Sequence, residues 1–514
     1  MLEEEKQFSA KLLMLTTLII SGCSIIYEVL ISSVSSYLVG DSIKQFSITI
    51  GLYMSAMGLG SYLSKYIKKN LFDFFVSVEI GVGIFGGLSA LTLFMSYVKI
   101  ENYNLVMYIQ IILIGILVGL EIPLLTRIIE ENNPNLRVTL STLFSFDYIG
   151  GLIGSVAFPL ILLPEMGYFA TSFLTGCLNI LVAFIIVWQY KRYIVKYNFF
   201  KMVSILSFIV LLLGAVFSEN LAKNVEGNLY RDRVVYSQQT PYQNIVVTKH
   251  KDDLRLFIDG NLQFSTADEY RYHESLVHIP MLAAPNKQRI LVLGGGDGLA
   301  VREILKYDEV ENIVMVDLDP EIVELCRSHE AIRTVNEGAL DSEKLRIVNE
   351  DAYKYLEETD ELFDVVIIDL PDPNNESLNK LYSNVFYRLV KNHLAPEAVM
   401  SIQSTSPYYA PKAFWCINKT LEAEGLNVMP YHAQVPTFGD WGFQLASNDK
   451  INIEQIKTNF SQNNLVTRFL NLDTIERLFV FSEDERVDKS SLEINSLLTP
   501  KLLTYYLDAV KEWR

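Results

Sequence analysis

Seven apolar stretches crowd the first 217 positions of this chain: Leu12–Val39, Ser42–Leu63, Leu71–Val98, Leu105–Leu125, Leu140–Leu163, Tyr168–Trp188 and Phe199–Phe217. A helix rises about 1.5 Å per residue, so ~20 residues bridge a hydrocarbon core ~30 Å thick. Each stretch is about that long. A removable signal peptide accounts for the first of them alone. Residues 1–220 are therefore expected to form an α-helical transmembrane bundle of about seven helices, with lipid as a partner. That places the chain in the cell membrane as a multi-pass protein.

Glycines recur inside these runs, as Gly51, Gly58 and Gly60, then Gly81, Gly83, Gly86 and Gly87, then Gly150, Gly151 and Gly154. Small residues let helix backbones approach closely in lipid, where packing drives association. Glu28, Glu79, Glu121 and Asp147 fall inside or near the ends of the runs, and each needs a cavity, a partner or the interface. Interfacial placement or an internal hydrogen bond is expected for Glu79 and Glu121. Glu28 and Asp147 lie deeper along their spans and suit a polar path equally well. Lys6, Lys11, Lys65, Lys68, Lys69, Arg127, Arg137, Lys191, Arg192, Lys196 and Lys201 share one side of a seven-span arrangement. The excess of Lys and Arg puts the N-terminus in the cytoplasm. An odd number of spans then puts the remainder of the chain outside.

Up to Asn220 the chain carries 13 Lys and Arg against 14 Asp and Glu, so nearly all of the net charge of -17 falls in the second half. An acidic domain repels the phosphates of nucleic acid, which is not expected as a partner, and attracts cations. Cys23, Cys177, Cys326 and Cys416 show no C-x-x-C spacing and no clustered histidine. Neither a metal site nor a disulfide framework is expected. His250, His278, His329, His393 and His432 likewise lack ligating spacing and are expected on the surface or in the core.

After Glu219 the pattern becomes short alternating runs, Gln243–Thr248 and Arg255–Ile258, the second followed by Asp259-Gly260-Asn261. Alternation ending in Asp-Gly reads as a β-hairpin, so residues 228–288 are expected to hold a small β subdomain and a connecting helix. From Arg289 the reading is α/β. A buried strand Ile290–Leu293 leads into Gly294-Gly295-Gly296-Asp297-Gly298, a helix through Lys306, and a strand Ile313–Val316 ending at Asp317. Glycines here permit a sharp turn and close approach of a ligand at the carboxyl end of the first strand, as in a Rossmann-like, doubly wound sheet. The dinucleotide spacing G-x-G-x-x-G fails, because Leu299 holds the third glycine position. Asp317 can bond both ribose hydroxyls, and Asp351-Ala352, after the strand Leu345–Val348, is placed to face an adenine. The ordered set points to an adenosyl-sulfonium ligand. A fourth strand, Phe363–Ile368, delivers Asp369-Leu370-Pro371-Asp372-Pro373 to the same rim, where two carboxylates suit a cationic amine.

The succession Tyr242-Gln243-Asn244-Ile245, Phe257 to Ser265, Asp268 to Glu274, the GGGDG loop and Asp369 to Pro373 resembles the spermidine synthase (polyamine aminopropyltransferase) family, over about Leu229 to Ser447. The preceding bundle, with Pro436 to Phe443, resembles its membrane-bound subgroup. The resemblance implies a methyltransferase-type α/β catalytic domain over 289–450, with a C-terminal extension over 451–514. It further implies that Gln243, Gly294, Gly296, Asp297, Asp317, Asp351 and Ala352 bind the nucleoside and aminopropyl tail. Tyr272, His273, Asp372 and Phe438 line the amine pocket, and Asp369 accepts the proton. The co-substrate implied is decarboxylated S-adenosylmethionine, with no cofactor. The expected reaction moves its aminopropyl group to a diamine, putrescine first among the candidates, giving spermidine and methylthioadenosine.

Two departures touch the amine pocket: Asn374-Asn375-Glu376 stand where the soluble family continues into a Gly-Pro gating loop, and Phe438 replaces a tyrosine. The alternatives are an S-adenosylmethionine-dependent methyltransferase on the same fold and a polyamine transporter or sensor with a binding-only domain. A cytosolic nucleoside substrate conflicts with an external catalytic domain, so either one segment does not cross or the substrate is met across the membrane. The amphipathic run Leu497–Trp513 is suited to covering the site or to packing, including against a second copy in a homo-oligomer. Packing is the expectation.

Overall fold

The computed structural model describes residues 10–39, 42–100, 102–132, 136–230 and 232–512. Lys6, one of the charges used for orientation, lies outside them. The chain divides into two compact units, Met1–Val234 and Val235–Arg514. The division falls later than expected from hydropathy, because a twelve-residue helix, Ser218–Leu229, buries Val225 in the core of the first unit.

The first unit is helical throughout its apolar runs. Ala10–Val39, Ser42–Leu63 and Tyr197–Val216 end within a few residues of expectation, whereas Tyr103–Asn132 continues past Leu125 and keeps Pro123 inside it. Among the described residues five helices are long and apolar enough to cross a membrane, or six when a bent pair counts as one. That pair is Leu71–Gly87 and Ser89–Lys99, bent by 46°, where the sequence suggests one continuous span. The tally falls below seven because Arg137–Gln189 counts as a single 53-residue run. Helical bonding carries through a π-turn at Phe158–Leu162, but Gly167 breaks the run with φ 69 and ψ 179. The break separates the two stretches read from hydropathy.

Close backbone approach follows the small-residue logic in part. Gly150 and Gly154 sit against the backbone of Leu18 and Gly22, and Gly60 sits against that of Ile116. Gly51 and Gly58 face open space. The internal hydrogen bond expected for Glu79 forms, but the greater depth read for Glu28 and Asp147 is corrected. Glu79 and Glu121 are buried inside the bundle, whereas Glu28 and Asp147 are only half-buried. Position along a span sets depth along the helix axis, but burial depends on which face the residue occupies. Glu79 Oε2 accepts from Asn179 Nδ2 at 3.1 Å, and Asn179 Oδ1 accepts from the Tyr27 hydroxyl at 3.0 Å.

Strands β1 (Arg233–Gln239), β2 (Asn244–His250), β3 (Asp253–Ile258) and β4 (Asn261–Ser265) follow, forming a sheet in that order with β2–β3 and β3–β4 antiparallel. The Asp259-Gly260 turn joins β3 to β4, with φ of 47 and 78. These are the left-handed conformations that a two-residue hairpin loop requires. The helix Glu269–Ala283 follows, and then a second sheet. Its strands are β5 (Arg289–Gly294), β6 (Asn312–Asp317), β7 (Leu345–Asn349), β8 (Phe363–Asp369), β9 (Leu394–Gln403), β10 (Asn427–Val435) and β11 (Gly439–Ser447). Their order is β10-β11-β9-β8-β5-β6-β7. The pairs β5–β6, β6–β7, β5–β8 and β8–β9 are parallel, and β11 and β10 add antiparallel strands at one edge.

The four strands read from apolar runs all form, because fully buried runs such as Ile290–Leu293 and Val365–Ile368 suit a sheet covered on both faces. The chain builds outward from β5 through β6 to β7, then returns to place β8 on the other side of β5. That reversal creates a crevice at the carboxyl ends of β5 and β8, where open α/β sheets bind ligands. The extension past residue 450 packs on this unit. Buried Glu274 accepts three backbone N–H bonds from Arg468, Phe469 and Leu470 at 2.6–2.9 Å.

Candidate active site

The crevice is lined by the residues that end each strand. Gly294 pairs in register with Asp369, and a Cβ on Gly294 would strike the Asp369 carbonyl. Only glycine lets these two strand ends lie so close. Gly296 N donates to Asp317 Oδ2 at 3.0 Å, and a Cβ there would meet the same carboxylate at 2.7 Å. The glycine loop therefore touches the ends of both β6 and β8. Asp297 turns back over the loop, its Oδ1 accepting from Leu299 N at 2.9 Å.

Asp369 is the centre of the arrangement. Its Oδ1 accepts from the Tyr272 hydroxyl at 2.6 Å, which leaves Oδ2 toward Gly295. Burial pushes the Asp369 carboxyl up to about 6, the His273 ring and the Tyr272 hydroxyl hold it down, and the Asp297 charge adds to the rise. His273 lies with Nε2 4.0 Å from Asp297 Oδ2 and Nδ1 2.9 Å from Glu269 Oε2. Burial disfavours its imidazolium. The Glu269 hydrogen bond and the charges of Asp297, Glu269 and Asp369 outweigh that and carry the ring up to about 9. At neutral pH the ring is a buried cation between carboxylates.

Behind His273, the Arg302 guanidinium grips Glu269 through two bonds of 2.9 Å, the bidentate geometry that suits arginine to buried carboxylates. Its Nε donates to Glu303 Oε1 at 2.9 Å, and Glu303 Oε2 meets His278 Nε2 at 2.9 Å. The core role read for His278 holds.

Burial also raises Asp317 to about 6, against backbone N–H bonds from Asp319 and Gly296. Gln243 reaches this corner indirectly, because its Nε2 donates to Asp319 Oδ2 at 2.9 Å and Asp319 N donates to Asp317 Oδ1 at 3.0 Å. Asp351 caps the helix Ala352–Glu358 through Tyr353 N, and its other oxygen accepts from Lys380 Nζ at 2.9 Å. Ala352 is buried beside it. Phe438 stands edge-on to Tyr272, ring centres 5.9 Å apart, and 5.1 Å from Trp441. Asp372 Oδ2 accepts from the Tyr506 hydroxyl at 3.0 Å. Burial lifts its carboxyl to about 6, moderated by Tyr506, Gln403 and Thr405.

Hydrogen bonds, strand pairing and ring contacts thus join Gly294, Gly296, Asp297, Asp317, Tyr272, His273, Asp369 and Phe438 into one group. Gln243 joins through Asp319, and Asp351 and Asp372 stand on the same rim with partners of their own. Arg302, Asp319, Lys380, Gln403 and Tyr506 escape a sequence reading. Each bonds a side chain far away along the chain, as Tyr506 does Asp372 across 134 positions. His432, read as a surface or core residue without ligating spacing, meets acidic neighbours from elsewhere in the chain. Its Nδ1 lies 2.8 Å from Asp440 and 3.9 Å from Glu485, a group whose donor atoms fall within 4.8 Å of one another. Asp440 comes from the paired strand and Glu485 from the tail, so chain spacing hides them. With Nε2 on the Val480 carbonyl at 2.8 Å, both ring nitrogens are engaged, and the cluster ties the tail to the β10–β11 hairpin as an ion pair.

A glycine loop at the switch point, acidic strand ends and a buried carboxylate beside them define an α/β group-transfer enzyme for an adenosyl-type donor. A family model described as the spermine/spermidine synthase domain matches residues 269–458. A polyamine aminopropyltransferase of Leptospira interrogans is 42% identical over 501 residues, 98% of both chains. One of Oceanobacillus iheyensis is 39% identical over 510 residues, 98% of this chain and 99% of its own. A crystal structure of spermidine synthase with the transition-state analogue AdoDATO aligns at 27% identity and TM-score 0.46, over 48% of this chain and 85% of its own. The chain belongs to the polyamine aminopropyltransferase family. It is an aminopropyl-transferring enzyme, with decarboxylated S-adenosylmethionine as co-substrate.

Proposed function

We propose that this enzyme is membrane-bound and transfers the aminopropyl group to a diamine, with putrescine the leading acceptor, giving spermidine and methylthioadenosine. The observation that carries the reading is Asp369. One of its oxygens is held by Tyr272 and the other is left toward the glycine loop, so the carboxylate is oriented yet keeps an oxygen for a proton.

A primary amine has a pKa near that of lysine, about 10, and attacks only after losing a proton. Asp369 Oδ2 takes that proton. The nitrogen lone pair then forms a bond to the methylene carbon beside the sulfonium, the carbon–sulfur bond breaks, and its electron pair stays on sulfur in neutral methylthioadenosine. Positioning of the two substrates supplies much of the acceleration. Asp297 meets the donor's ammonium, a role that would turn repulsive toward the carboxylate of ordinary S-adenosylmethionine. Phe438 offers the acceptor an apolar wall without a hydroxyl, so the acceptor's distal ammonium leans on Asp372.

Asp369→Asn in the full-length protein should lower turnover by ~10²–10⁴-fold while methylthioadenosine still binds. Turnover kept near the wild-type rate would remove Asp369 as the base. Support for the membrane reading comes from outward apolar side chains on the long helices, among them Leu152, Leu160, Trp188 and Leu206, each more than 60% exposed. Such a surface suits lipid. Carbonate extraction tests the location, and protease access in sealed vesicles tests the side on which catalysis occurs.

A further inference from the structure

The segment after Asp372 departs from the soluble family's gating loop, and the structure shows what stands in its place. Asn375 caps the short helix Glu376–Lys380, its side chain accepting from Leu378 N at 2.9 Å. Asn379, at the end of that helix, is buried. Its side-chain oxygen accepts from Leu503 N at 3.1 Å, and its carbonyl accepts from Asn495 Nδ2 at 3.2 Å. Asn495, with no exposure, also donates to the Tyr382 carbonyl at 3.0 Å and accepts from Leu502 N at 3.3 Å. Two asparagines thus satisfy the first N–H groups of the helix Lys501–Glu512, groups that no intrahelical carbonyl can reach. They pin its start to the stretch behind Asp372. Leu502 is buried in the core between this helix and the sheet.

One turn beyond Leu502, on the same helix face, stands Tyr506. Its hydroxyl donates to Asp372 Oδ2 at 3.0 Å, while Gln403 Nε2 lies 3.5 Å from Oδ1. Gln403 also bonds the Leu370 carbonyl and the Tyr382 hydroxyl, so it braces the loop as well as the carboxylate. Neutral donors therefore meet both oxygens of Asp372. These contacts give the carboxylate a fixed direction.

We propose that Tyr506 is a positioning residue of the acceptor site, holding the Asp372 carboxylate in the orientation that receives the distal ammonium of the amine, with the helix Lys501–Glu512 replacing the gating loop as the support of that site. The inference rests on the reading of Asp372 as the amine anchor. It adds a role in the site to the packing expected of the tail. It also accounts for the Asn374-Asn375-Glu376 departure, because a loop braced from outside by a latched helix does not need to hold its own shape.

The test uses the full-length enzyme in lipid or detergent, with decarboxylated S-adenosylmethionine and putrescine varied in turn. Tyr506→Phe removes the hydroxyl and keeps the ring. A hydrogen bond to a charged group is lost, so KM for the amine should rise about tenfold. KM for the donor, kcat at saturating amine and the melting temperature should stay near wild type. Asp372→Asn, run alongside, should raise the amine KM further. If Asp372→Asn leaves the amine KM unchanged, the anchor reading fails and the Tyr506 inference falls with it. If Asp372→Asn raises it and Tyr506→Phe does not, the anchor stands and Tyr506 alone is overturned. A Tyr506→Phe enzyme with lower kcat, both KM values altered and a lower melting temperature would show a merely structural role.

Discussion

Both halves of this molecule bury carboxylates, and they do so in different ways. In the α/β unit, Glu269 receives two bonds from Arg302 and one from His273, while Asp369 faces that same imidazolium. In the helical unit, Glu79 has the neutral side chain of Asn179 as its partner, and neither Glu79 Oε1 nor Glu121 Oε1 makes a hydrogen bond among the described residues. Burying an ionised group is costly unless it is paired and hydrogen-bonded. The α/β unit surrounds its acids with cations and directed hydrogen bonds, as a proton acceptor and a cationic-substrate site require. The helical unit carries acids without that scaffolding.

The strongest way to break this contrast is Arg302→Met, which leaves Glu269 buried beside His273 without its bidentate partner. Losing one member of a buried ion pair typically costs about 3–5 kcal/mol, and chemical denaturation of the full-length protein measures it. A change below about 1 kcal/mol would mean the arginine is dispensable and the two halves are alike. His273→Gln acts more gently. The ring's cation helps keep Asp369 ionised, and Asp369 must be ionised to accept a proton. In the wild type kcat/KM should fall as pH drops through about 6, the value to which Asp369 and Asp372 are both lifted. In His273→Gln the fall should begin at higher pH, and an unmoved acidic limb would remove the ring from the electrostatics of the base. The smallest effect is expected at Glu79→Gln, which keeps an oxygen for Asn179. Stability should change by about 1 kcal/mol or less and kcat by less than about twofold. A large loss of turnover would draw the bundle into the chemistry.

What was legible in the sequence follows the range of the physics behind it. Strands β5, β6 and β8 could be read because each is a short buried run, β7 because it is a short apolar run though only partly buried, and the aspartates ending β6 and β8 mark the rim by position alone. The Asp259-Gly260 turn was legible from its two residues. The bend near Leu88 was not, since hydropathy runs unbroken through it, and the burial of Glu79 and Glu121 was not, because it depends on which neighbours a helix face meets. Within the site, Asp317 and Asp369 end strands and Asp297 sits in the glycine loop after β5, positions that local sequence marks. Arg302, Gln403 and Tyr506 act through side chains that converge only when the sheet and tail have closed, and no local pattern announces them.

The register of two central strands has a consequence for how this enzyme comes into being. Asp369 stands beside Gly294 because β5 and β8 pair in parallel at one alignment. Successive strand residues point to opposite faces, so a slip of one position would turn the acid away and present Ile368 instead. Contacts of this kind join distant parts of the chain and close slowly. Turnover thus doubles as a proofreading signal for assembly. In a refolding time course, activity should trail the recovery of helical signal and report the moment at which the strands find their proper alignment.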